Sequence, residues 1–239
     1  MSAIEQTAVG AVQWRLANRQ RARLYGWFAT LYAAEVSEVA LEGYLGDGYQ
    51  PLYAGLADLG LDAEVARLQD AIEALRTLPL ARLELAADFA QLFLLDARTG
   101  ALPYASVYEG EGKGKGSVLY GAAEERMRNF LAESGLAIQA EFREPADHLA
   151  VYLALMAKLA EQDAEQGIDS IDFATAAFEQ LSFLQAGLLG WLGAFVQRCQ
   201  QARPRFDFYP ALAAVLYGFV REDELFLDDV SAGRQASAS

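Results

Sequence analysis

Cysteine and histidine are almost missing from this chain: Cys199 and His148 are the sole examples in 239 residues. A single cysteine excludes an intramolecular disulfide and fits a reducing compartment. Cys199 follows Arg198 inside an apolar helical run, so it reads as a small packing residue rather than a reactive thiol. One histidine and one cysteine cannot close a zinc site, and a di-iron bundle would need a second Glu-x-x-His pair. No metal and no cofactor is therefore expected. Lysine is confined to Lys113, Lys115 and Lys158, and the net charge is −14. That charge repels phosphate and so excludes nucleic acid as a partner. It would draw in and orient a basic partner, or serve solubility alone. Long apolar runs are lacking too. The longest uncharged one, Ala186 to Val196, falls short of the roughly 18–20 residues that a membrane span needs. Residues 1–10 have no charged start leading into an apolar stretch, so no signal peptide is expected. The expectation is a soluble, cytoplasmic protein.

What the chain does have is hydrophobic residues, 54% of the total, recurring at three- and four-residue steps. Alternating β-branched runs are nearly absent, which predicts an all-α fold. The pattern predicts helices over about 8–35, 36–45, 52–59, 63–78, 79–96, 118–134, 145–166, 169–200 and 209–221. In the first, Leu16, Leu24, Phe28, Leu31 and Tyr32 mark an inner face, and Arg15, Arg19, Arg21 and Arg23 a solvated one. Asp62 is expected to cap the fourth helix, Pro79 and Pro145 to open theirs, and Asp169 or Ser170 to cap another. Gly135 and Pro204 read as stops. The sum is a single helical bundle-like domain, residues 1–227, followed by a small polar tail at 228–239 expected to be disordered. A long hinge loop around 97–116 divides a looser N-terminal half, 1–96, from a C-terminal half, 117–227. Such a hinge allows two copies to exchange halves into a swapped homodimer.

Three stretches stand out. The loop at 97–116 is longer than helical proteins usually tolerate without a use for it. Its first half, with Leu102, Pro103, Tyr104, Val107 and Tyr108, is too apolar for a free linker and should pack on something. Its second half, Gly110 to Ser117, invites a phosphate-loop reading but has Lys115-Gly116-Ser117 where Gly-Lys-Ser is required, so it reads as a tether. The segment Glu144-Pro145-Ala146-Asp147-His148 puts two carboxylates and the lone histidine where a helix should begin. Residue types leave two readings open there: a polar contact point for a ligand, or a helix cap with one packed histidine. As a catalytic pair, Asp147 and His148 lack a nucleophile, since Ser106 and Ser117 have no elbow glycines around them. A small helical hydrolase is thus a weak alternative. The helix face of Phe89, Leu92 and Phe93, with the apolar loop, would line a groove for a helical peptide, or would simply be core.

In this order, the segments Asp88-Phe89-Ala90-Gln91-Leu92-Phe93-Leu94, Leu102-Pro103-Tyr104-Ala105-Ser106-Val107-Tyr108 and Glu144-Pro145-Ala146-Asp147-His148 resemble three motifs of the TorD/DmsD family of molybdoenzyme maturation chaperones, leaning to the TorD side. The resemblance implies an all-α, non-catalytic cytoplasmic protein. Such a protein binds the twin-arginine signal peptide and the apoprotein core of a molybdenum-cofactor reductase precursor, of the trimethylamine-N-oxide type. It aids cofactor insertion and delays export. A DmsD- or NarJ-like assembly factor, for a dimethyl-sulfoxide or nitrate reductase, is the neighbouring alternative. Carried over by motif, the implied peptide-binding residues are Phe89, Leu92, Phe93, Pro103, Tyr104, Ser106, Tyr108, Glu144, Pro145, Asp147 and His148.

Overall fold

Helical periodicity carries through to the structure, a computed structural model that describes residues 3–96, 98–109, 121–165 and 172–233. Among these the regular elements are all helical, and one isolated antiparallel bridge joins Tyr104 to His148. The fold is a single all-α domain. Helix α1 (Ala3–Ala33) packs along α8 (Leu149–Glu165). Helices α4 (Asp62–Arg76), α9 (Phe173–Phe183) and α10 (Gly190–Ala202) pack on α11 (Phe208–Ser231). The short α2 (Glu38–Leu45) and α3 (Gln50–Ala57) rest on α4. Helix α5 (Ala81–Phe89) runs on as a π-helical turn, Ala90–Leu95. The four-residue α6 (Ala105–Tyr108) meets both α7 (Ala122–Glu133) and α10. Elements before and after the 97–116 connection therefore share one hydrophobic core, from Trp14 to Leu227.

Several helix ends follow from local chemistry. Ser37 Oγ accepts the Ala40 N–H at 3.2 Å and starts α2. Gly135, at φ +66°, closes α7: its N–H reaches the Ala132 carbonyl and the Leu136 N–H reaches that of Leu131, the paired bonds of a Schellman stop. Arg203 in the left-handed region and Pro204 end α10. Other ends differ from the sequence expectation. Leu61, not Asp62, occupies the cap of α4. Pro79 precedes α5 without entering it. Asp172 caps α9 by accepting the Thr175 N–H at 3.3 Å, while Asp169 and Ser170 lie outside the described residues. The last helix extends to Ser231, over the first residues of the segment expected to be a tail. The Gly/Lys stretch at 110–116 and residues 234–239 also lie outside the described residues.

The arginine face of α1 needs a correction. Arg21 is not solvated: it is 5% exposed, whereas Leu16, expected inside, is largely exposed. Arg21 Nε donates to Asp223 Oδ1 at 2.5 Å and Nη2 to Oδ2 at 3.0 Å, while the Tyr25 hydroxyl donates to Oδ2 at 2.6 Å. Arg21 Nη1 also donates to Asn18 Oδ1. Burial works against the guanidinium charge, but Asp223 beside it more than offsets this and raises the arginine pKa. The partner sits in the last helix, 202 residues away, so spacing within α1 gave no sign of it.

Candidate functional site: the clip between the loop and the Glu-Pro-Ala-Asp-His corner

Two prolines set up the site. Pro103 and Pro145 interrupt helical geometry: the Tyr104 backbone is extended, residues 145–148 form a turn closed by the His148 N–H on the Pro145 carbonyl at 3.1 Å, and the two segments lie side by side. The Leu149 N–H donates to the Pro103 carbonyl at 2.7 Å, and the Ala105 N–H to the Asp147 carbonyl at 3.0 Å. Asp147 Oδ2 accepts the Ser106 N–H at 2.9 Å. The Tyr104 hydroxyl donates to Glu144 Oε2 at 2.6 Å. Loop and corner thus form a clip in which each segment satisfies backbone groups at the start of the other's helix. Pro145 is not the first residue of α8, as the sequence suggested; that helix begins at Leu149.

The lone histidine is a cap within this clip. His148 Nδ1 accepts the Ala150 N–H at 3.1 Å, which places the proton of the neutral ring on Nε2. The Tyr104 and Phe142 rings meet the imidazole edge-on, with centroids 5.0 and 5.4 Å away. The residue is 4% exposed, and burial lowers its pKa to about 4. Asp147 and His148 do not pair with each other: the first faces Ser106, the second Ala150. The relay that a hydrolase would need is not made.

The other end of the loop is equally tied. A Cβ on Gly100 would stand 2.6 Å from the Leu92 carbonyl oxygen and 2.8 Å from that of Gln91. Only glycine lets this backbone close onto the π-helical turn, where the Ala101 N–H reaches the Leu92 carbonyl at 2.6 Å. Arg198 donates to the carbonyls of Gly100 and Arg98 at 3.0 and 2.7 Å. At the end of α6, Tyr108 stacks on Trp191 at 5.8 Å.

The structure does not set the predicted residues along one open wall. Phe89, Leu92 and Phe93 are buried; Phe93 meets Tyr32, Phe89, Phe195 and Tyr209 at 5.1–6.1 Å. Pro103 and Asp147 are buried, Tyr104, Ser106, Tyr108 and Pro145 half-buried, and Glu144 exposed. Cys199 is buried as well, and burial pushes its thiol pKa well up. What the sequence could not disclose is a set of polar atoms left over in the clip. Asp147 Oδ1, Ser106 Oγ and the Tyr108 hydroxyl are buried with no hydrogen-bond partner among the described residues. Among those residues no group of three or more His, Cys, Asp or Glu is placed to hold a metal ion.

Comparison with known proteins agrees with the three motifs. Residues 56–197 match the family described as nitrate reductase delta subunit. The chaperone protein TorD of Psychrobacter sp. is 41% identical over 221 residues, covering 92% of this chain and 96% of its own. The protein of that name from Photobacterium profundum is 39% identical over 214 residues, 88% of this chain and 95% of its own. That from Vibrio cholerae is 37% identical over 217 residues, 90% and 96% respectively. The chain therefore belongs to the nitrate reductase delta subunit family and, within it, to the TorD chaperones.

Proposed function

We propose that this protein is a cytoplasmic, non-catalytic chaperone for a molybdenum-cofactor reductase of the trimethylamine-N-oxide type. It holds the precursor through its twin-arginine signal segment and its unfilled core while the cofactor is inserted. Among the relatives, the name TorD chaperone supports the chaperone role over that of an assembly factor for a nitrate reductase.

One observation supports the clip as the contact point for the arginines: Asp147 Oδ1 is a buried carboxylate oxygen with no donor among the described residues. A buried acceptor without a donor costs about 1–3 kcal/mol, so the site gains by taking one from a partner. An arginine guanidinium supplies donors in a fork suited to carboxylates. Ser106 Oγ and the Tyr108 hydroxyl are further unpartnered groups, and exposed Glu144 stands at the edge. A net charge of −14 steers such a partner in. Phe89, Leu92 and Phe93 act from behind, as the packing that holds the loop.

Exchange of halves between two copies across the 97–116 connection would keep the α1–α8 and α4–α11 contacts, and a solution mass measurement reads it. The function is tested by calorimetric titration with a twin-arginine signal peptide beside the same peptide with both arginines changed to alanine. Binding that weakens with the arginine change is expected. No heat from either peptide at high micromolar concentration would contradict the proposal.

A further inference from the structure

Surface helices normally show polar side chains to water, and α9 departs from this. Phe178 is 62% exposed. It stands at a groove of about 630 Å³ between α7, α8 and α9, floored by Phe130, Leu155, Leu159 and Phe183. The groove also has a charge of one sign. Glu133, Asp163 and Glu179 line it, with no lysine or arginine among the lining residues. At its base Gln180 Nε2 donates to Asp163 Oδ2 at 2.7 Å, leaving Gln180 Oε1 buried and unpartnered among the described residues.

The groove and the clip share one helix, α8. The groove lining follows α8 from Leu155 to Asp163, about 12 Å at 1.5 Å per residue, or roughly two turns of a docked helix. Its near end lies about 9 Å along α8 from Leu149, the residue that follows the corner. Phe89 and Phe93, expected to receive the apolar part of a client, are in the core, so that part needs another exposed apolar surface.

We infer that the groove between α7, α8 and α9 receives an apolar helical segment of the client precursor that carries arginine or lysine beside it. This rests on the client-holding function above and gives it a second contact. The carboxylates decide the class of occupant. A second copy of this chain, itself at −14, would bring like charge against Glu133 and Glu179. An anionic lipid or phosphate surface would be repelled in the same way.

The test uses the full chain and a fluorescent peptide of two arginines followed by about 12 alternating leucine and alanine residues, roughly an 18 Å helix. A control peptide has glutamate in place of both arginines. Phe178, Glu133 and Glu179 are exposed, so Phe178→Ser and the double variant Glu133→Arg/Glu179→Arg should melt like the parent. Phe178→Ser is expected to weaken anisotropy-detected binding about ten- to a hundredfold. The double variant should lose about tenfold for the arginine peptide and gain for the glutamate peptide. If the parent binds, Asp147→Asn weakens it and both groove variants bind as before, the groove inference is wrong and the client-holding function stands. If the parent binds neither peptide, both fall. A dimer that Phe178→Ser dissociates without changing peptide affinity would make the groove a self-interface and overturn the inference.

Discussion

Replacing Asp147 separates the two tasks assigned to its carboxylate. One oxygen accepts the Ser106 N–H at 2.9 Å, and the other has no partner among the described residues. Asp147→Ala removes both, leaving the Ser106 N–H inside the clip without an acceptor. A buried donor left unmade costs about 1–3 kcal/mol, and for a chain of this length each 1 kcal/mol moves the melting temperature by roughly 2–4 °C. The alanine variant should therefore melt about 2–12 °C lower. Asp147→Asn keeps an oxygen for Ser106, so its melting temperature should stay within about 4 °C of the parent, a change of less than about 1 kcal/mol. It removes the negative charge, however, and turns an amide donor toward the place an arginine would fill. A hydrogen bond to a charged group contributes about 1.5–3 kcal/mol, so twin-arginine peptide affinity should fall roughly ten- to a hundredfold. Thermal melting and calorimetric titration on the three proteins read both quantities. An asparagine variant with unchanged peptide affinity would refute the placement of the arginines at Asp147. One that melts as low as the alanine variant would show that the carboxylate's charge, not its oxygen, holds the clip.

Other expectations concern the same core. Because burial lowers the His148 pKa to about 4 against an ordinary 6.5, the unfolded chain binds the extra proton between these values. The histidine's contribution is complete above about pH 6.5 and is lost as pH falls towards 4, roughly 3 kcal/mol in all. Denaturant unfolding of the parent and of His148→Asn at pH 7 and pH 4.5 should show this part of the acid sensitivity missing in the variant; equal pH slopes would contradict it. Asp223→Ala strands the buried Arg21 charge and should cost about 3–5 kcal/mol, while Arg21→Met with Asp223→Leu should cost clearly less by the same measurement. Phe93→Ala opens a hole among Tyr32, Phe89, Phe195 and Tyr209 and should cost about 3–5 kcal/mol. A Phe93→Ala protein that melts like the parent would mean the ring is not core.

Helix periodicity made the fold legible. The apolar steps in Leu24, Phe28, Leu31 and Tyr32 place α1, and Gly135 and Pro204 mark stops through backbone restrictions that need no tertiary information. Partners far along the chain were not legible. Arg21 reads as solvated beside Arg19 and Arg23 until Asp223 is brought to it. Asp147 reads as a helix-start carboxylate of its own helix, whereas it caps α6, 41 residues earlier. Two of the motifs, the loop and the corner, lie in segments that the fold brings together. The motifs could not tell a contact surface from the packing behind it: Phe89, Leu92 and Phe93 share an apolar face, and only the positions of α1, α10 and α11 decide that the face is covered. Phe178 fits an apolar period as well as any core residue, and its exposure appears only once α7 and α8 are in place.

The central claim is that this chain holds a reductase precursor before the cofactor is in place. The direct test is to mix the purified protein with the apo precursor and, separately, with the cofactor-loaded mature enzyme, and to measure complex mass by size-exclusion chromatography with light scattering. A stable complex with the apo precursor and none with the loaded enzyme is the predicted result. Equal association with both, or with neither, would contradict it.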